Sequence, residues 1–190
     1  MEYILHIMAE FWQLTVLGGL ILLAALIDIS DKINLNGRVV EFKYEEYPHM
    51  QPVKICTADK GFWGAVWLWL TSVRTWQVSK DWKFELKGDS YVIPKGFVFD
   101  GASVPKFLAP FLSPVGVLLI GGLVHDYAYK YSTLKRDDAK GTSLSLDKAE
   151  CDKIFRDINI EVNGFHLLNY LTYWTLRCFG FIAWNKHRKA

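Results

Sequence analysis

The chain has 190 residues, enough for one domain with its own core and an appendage, and 51% of it is apolar, with 15% aromatic residues and eight tryptophans. That aromatic weight points to contact with lipid or with a large partner surface. A net charge of +2 selects no class of partner, no nucleic-acid motif is present, and three scattered cysteines without a C-x-x-C pair exclude a disulfide framework and a cysteine zinc site.

Residues 11–27, "FWQLTVLGGLILLAALI", form an uncharged run of 17 residues, near the lower limit for crossing a hydrocarbon layer of about 30 Å. The run predicts a transmembrane anchor within residues 1–30, with a buried helix packed on the domain or a partner as the alternative. Lys32, Arg38 and Lys43 follow it and no basic residue precedes it, which favours an outside N-terminus and a cytoplasmic domain. Residues 31–190 then read as a single α+β domain. Asn36-Gly37 is a hairpin signal, and "RVVEFKYEEY", "PVKICTA", "WKFEL" and "YVIPKGFVF" alternate large apolar and polar residues, predicting a small region of short antiparallel strands. "GFWGAVWLWL" at 61–70 fits either a buried strand or a short helix. Its tryptophans would suit a membrane interface if exposed, and a place in the core is the default.

Beyond residue 100 the pattern turns helical, predicting a C-terminal layer of three to four helices. Asp100-Gly101 makes a turn, Ser103 is placed to cap a helix and Pro105 suits its first turn. A longer helix runs from about 115 through Tyr131, followed by a polar loop, "STLKRDDAKGTSLS". Cys151, Ile154, Phe155 and Ile158 recur at helical spacing behind Ser145 as cap, and a last helix covers about His166 to Trp184 after the "VNG" turn. The terminal "NKHRKA" is a small cationic tail, suited to phosphates or to plain solvation.

The chemistry sits in "LVHDYAY", where His125 and Asp126 interrupt an apolar run. Helix neighbours point about 100° apart, so the two cannot pair well but can border one cavity. Histidine is the natural general base near neutral pH, and a carboxylate beside it is a hard ligand for a cation such as calcium. A base needs a group that fixes its tautomer. Asp152, at the border of the apolar stripe on another helix, fits that role, and Tyr129, four residues after His125, can hold the same carboxylate. The structural alternatives are a Lys148–Asp152 pair at i, i+4 and a buried His125–Asp152 ion pair. His166, Asn169 or Tyr170, Tyr173 and Arg177 form a polar stripe that faces either this cavity or solvent. No histidine lies between His49 and His125, which removes a histidine-rich transition-metal site.

The segments "VIPKGFVFDGASVP", "GGLVHDYAY", "AECDKIF" and "YWTLRCFGFIAW", in this order over about 90–184, resemble the DUF1353 family, small proteins of tailed phages and prophages. A local resemblance also links His125, Asp126 and Tyr129 to the H-D-x-x-Y helix of secreted phospholipases A2, and "AECDKIFRD" to their partner helix, with Asp152 in the equivalent place. That resemblance implies a hydrolase in which His125 activates water, Asp152 and Tyr129 orient it, and Asp126, Asp100 and the Gly101 backbone bind calcium to polarise a lipid ester. The bracing cysteines of those enzymes are missing here, and the β-rich half has no counterpart in them. Two functions are therefore expected: a membrane-associated hydrolase in the host cell, or a non-catalytic phage accessory or virion protein that binds a protein partner. The hydrolase requires that His125 border a solvent-filled hollow.

Overall fold

The computed structural model describes residues 40–71, 75–99 and 116–188, together with Gly18, Gly19, Leu22, Leu23, Ala25 and Leu26. The first half supplies β1 (Phe42–Lys43), β2 (Met50–Pro52), α1 (Phe62–Thr71), β3 (Trp76–Val78), β4 (Trp82–Leu86), β5 (Asp89–Ile93) and β6 (Val98–Phe99). The second supplies α2 (Leu119–Tyr131), β7 (Thr133–Lys135), β8 (Ser143–Ser145), α3 (Lys148–Asn163), α4 (His166–Phe179) and α5 (Phe181–Arg188).

The strands form two antiparallel three-stranded sheets, ordered β1-β4-β5 and β2-β3-β6, and a β7-β8 hairpin attached to β5 by a bridge between Tyr91 and Arg136. Period-two alternation explains β4: Trp82, Phe84 and Leu86 are buried while Lys83 and Glu85 face out. Their rings continue across the sheet, with Phe84 stacked 5.1 Å from Trp82 and 5.7 Å from Tyr91. The β4–β5 connection is two residues, Lys87 and Gly88, both at positive φ (55° and 82°), the signature of a type I′ turn that matches strand twist.

α2 is buried along almost its whole length, and a helix that is apolar all round belongs in the middle of a fold. It packs against β6, β7, α3 and α5. α3 carries the predicted stripe, with Cys151, Ile154, Phe155 and Ile158 buried. Its N-terminus is closed by a capping box of Asp147 and Glu150, rather than by Ser145, which ends β8. The α2–α3 crossing is close because residue 121 is glycine: a Cβ there would fall 2.3 Å from Asn159 Nδ2, and the Gly121 N–H donates to Asn159 Oδ1 at 3.2 Å. Between α3 and α4 the turn is made by Gly164 at φ 65°.

Several expectations are corrected. The predicted membrane-spanning helix is not supported, because no helix among the described residues is long and apolar enough to cross a membrane. Most of 11–27 lies outside the described residues, as does the Asn36-Gly37 turn. The apolar α1 has ten residues, roughly 15 Å at the helical rise and half a hydrocarbon layer. α1 is not core either: Trp63 is 80% and Trp67 70% exposed. Helices are thus not confined to a C-terminal layer, since α1 interrupts the strands. The polar loop after α2 is in fact the β7-β8 hairpin, its turn closed by Asp138, which accepts from the Thr142 N–H at 2.9 Å and from its hydroxyl.

Candidate functional site

α2 and α3 together build the polar cluster. His125 and Tyr129 are one helical turn apart, and their rings lie 3.9 Å centroid to centroid. Asp152 follows Cys151, and because Cys151, Phe155 and Ile158 are the face that α3 buries, Asp152 at the edge of that face is carried inward with them. It is fully buried, at 0% exposure.

A buried carboxylate survives only when its lone pairs are filled, and Asp152 has four partners. Oδ1 accepts from the Tyr129 hydroxyl and lies 3.3 Å from His125 Nε2. Oδ2 accepts from Lys148 Nζ at 2.7 Å and from Arg177 Nη1 at 3.2 Å. Lys148 also donates to the Leu176 carbonyl at 2.9 Å, so one side chain of α3 is tied to α4. The other imidazole nitrogen, Nδ1, is 3.5 Å from Asp126 Oδ1, so these helix neighbours do approach each other, contrary to the expectation from their 100° separation. Phe155 closes the ring's remaining side edge-on at 5.3 Å, leaving His125 1% exposed.

Electrostatics follow from this geometry. Burial works against charge on His125, but hydrogen bonding to Asp126 and Asp152 outweighs it and raises the pKa above the ordinary histidine value. Burial likewise opposes charge on Asp152, yet His125, Lys148 and Tyr129 hold its carboxyl down at about 2. Burial and the Asp152 carboxylate both push the Tyr129 phenol up, so it remains a donor. The ring therefore lies between two carboxylates that favour its charged form. In its charged form such a ring donates from both nitrogens and has no lone pair with which to take a proton.

Of the residues expected at the site, His125, Asp152 and Tyr129 meet, and Asp126 stands beside them. Asp100 and Gly101, the rest of the expected calcium set, lie outside the described residues. Calcium takes six to eight oxygens, and among the described residues no group of three or more His, Cys, Asp and Glu side chains could hold a metal. Asp126 and Tyr129 border a cavity of about 320 Å³ between α2, β6 and α5, and His125 is not among its described walls. The predicted stripe of α4 divides. His166 and Asn169 are buried, Tyr170 and Tyr173 cover the Arg156 guanidinium at 5.0 and 4.9 Å, and Arg177 reaches Asp152.

Gly180 completes the cluster and went unnoticed in the sequence. A Cβ at this position would sit 2.6 Å from the Tyr129 hydroxyl and 2.5 Å from the Leu176 carbonyl, so the absent side chain makes room for the phenol. A glycine inside a helical pattern was the available signal.

The sequence profile of the family described as "Protein of unknown function (DUF1353)" matches residues 76–175, more than half of the chain. The chain belongs to the DUF1353 family. The matched DUF1353 region starts at β3 and ends within α4, so it holds all of α2 and α3 with His125, Asp126, Tyr129, Lys148 and Asp152, and excludes Arg177 and α5. It begins earlier and ends earlier than the stretch of about 90–184 whose motifs carry the resemblance. No curated protein and no solved structure matches the chain.

Proposed function

We propose that this DUF1353 domain acts by binding and not by chemistry, with the His125–Asp152 cluster as a buried lock that fixes α2, α3 and α4. The observation that carries this reading is the sealed imidazole, 1% exposed with both nitrogens turned to carboxylates. The working surface is then the outer face of α4 and α5. Their hydrogen bonds run on through Gly180, whose N–H donates to Leu176 O at 2.7 Å and whose carbonyl accepts from Trp184 N–H at 3.0 Å. Along this rod Leu171, Trp174, Cys178 and Phe181 are all exposed at 3-4-3 spacing, the arrangement by which a helix presents an apolar seam to a protein partner.

A photoreactive amino acid in place of Trp174, expressed in the cells that naturally carry the gene, should give discrete protein adducts, whereas one in place of Gln51 on β2 should give none. Equal labelling at both positions, or none at Trp174, defeats the reading.

A second reading has its own support. Tyr129 and Asp126 touch a cavity, and one carboxylate orients both a histidine and a tyrosine, as a hydrolase acting on a lipid ester would need. Turnover of phospholipid or short-chain esters, assayed with and without a calcium chelator, separates the two. Hydrolysis above background that disappears in a folded His125→Asn variant establishes the hydrolase and removes the lock.

A further inference from the structure

The cavity of about 320 Å³ has a chemical character of its own. Its apolar wall is Phe97 and Phe99, side chains that belong to the core, faced by Ala183 of α5. Its basic side chains come from two helices: Lys130 from the last turn of α2, and Lys186, with the His187 imidazole beside it, from the last turn of α5. Lys130 Nζ is 5.5 Å from the centre of the Phe97 ring, so one ammonium stands at the edge of the apolar wall. Asp126 is the acidic group among the described walls, and its Oδ1 lies 3.5 Å from the His125 ring, which is not itself a wall. With two lysines against one carboxylate, the described walls carry a net positive charge toward a ligand.

The walls are also held in place. Arg188 donates to the Tyr129 carbonyl at 2.8 Å and to the Lys130 carbonyl at 3.3 Å, and its guanidinium lies 4.1 Å from the Trp184 ring centre. The end of α5 is thereby fastened to the end of α2, which keeps Lys186 and Lys130 on the same opening. A preformed hollow with an aromatic wall and a few convergent polar groups has the features of a small-molecule site, and its volume is near the lower end for such sites.

We propose that this cavity binds a small amphiphilic anion, its flat or short-chain apolar part against Phe97 and Phe99 and its carboxylate or phosphate head between Lys130 and Lys186. This goes beyond the binding function proposed for the α4–α5 surface and does not depend on it. Calorimetry on the full chain with 4-phenylbutyrate, 4-phenylbutylamine and inorganic phosphate tests it. The expected result is saturable one-to-one binding of phenylbutyrate, at least tenfold tighter than either of the other two probes. The Lys130→Glu/Lys186→Glu variant alters exposed side chains, so its thermal transition should match that of the parent while affinity drops at least tenfold. Ala183→Trp, which fills the hollow, should remove binding in protein shown to be folded. Absence of saturable binding, a preference for the amine, equal binding of bare phosphate, or affinity unchanged in the lysine variant overturns the proposal. Phenylbutyrate contains no hydrolysable bond, so its binding is read independently of any hydrolase activity.

Discussion

Replacing Asp152 by asparagine keeps the shape and deletes the charge that two cations, an imidazole and a phenol share. The cost can be worked from the neighbours. Lys148 and Arg177 have side chains 17% and 34% exposed, so each can turn partly to water. His125 and Tyr129 cannot, and the imidazole would keep only Asp126 as a charged neighbour, at 3.5 Å. Breaking a buried ion pair from one side costs about 3–5 kcal/mol, and the retained amide oxygen, which still accepts from Tyr129, places this case near 3 kcal/mol. At about 2–4 °C per kcal/mol for a chain of this size, the thermal midpoint should fall by roughly 6–12 °C. Urea denaturation followed by far-ultraviolet circular dichroism measures the loss directly. A destabilisation below about 1 kcal/mol would refute the lock, because it would mean that the four donors gain little from the carboxylate.

The pH profile of stability should have a defined shape. The Asp152 carboxyl is depressed from the carboxylate range to about 2, so its contribution, about 2 kcal/mol, is present above about pH 4 and lost as pH falls toward 2. His125 is raised, so its contribution is complete below about pH 6.5 and is lost as pH climbs through the folded value. Urea midpoints measured from pH 2 to 9 should therefore peak on the mildly acidic side; a monotonic rise through neutral pH contradicts the assignment. Gly180→Ala should destabilise by about 1–3 kcal/mol through the clash with Tyr129 and Leu176, measurable in the same denaturation assay, where an unchanged midpoint would show that the phenol can move aside.

The cluster was legible where side-chain spacing alone decides position. His125 and Tyr129 share a helical face at i, i+4, and the stripe of α3 forces Asp152 inward. What spacing could not reveal is how completely the site closes. Sealing depends on Phe155 meeting the ring and on Lys148 and Arg177 arriving from two helices, and the pattern of α4 allowed Arg177 either direction. The β4–β5 hairpin was readable from alternation and the Lys87-Gly88 turn, whereas β7-β8 was not. Each of its strands is three residues long, too short for a periodic signal, and its register comes from backbone pairing and the Asp138 turn. For α1 the apolar composition argued for the interior, and only the three-dimensional arrangement shows Trp63 and Trp67 outside it.

The charge state of His125 bears most directly on whether this domain locks or catalyses. Nitrogen-15 and proton magnetic resonance of the imidazole across a pH titration reads it without a substrate. A doubly protonated ring at pH 7, titrating above the ordinary histidine value and exchanging slowly with water, is the result the buried lock requires. A neutral ring at pH 7 with a free nitrogen in rapid exchange would contradict it and return His125 to the role of a base.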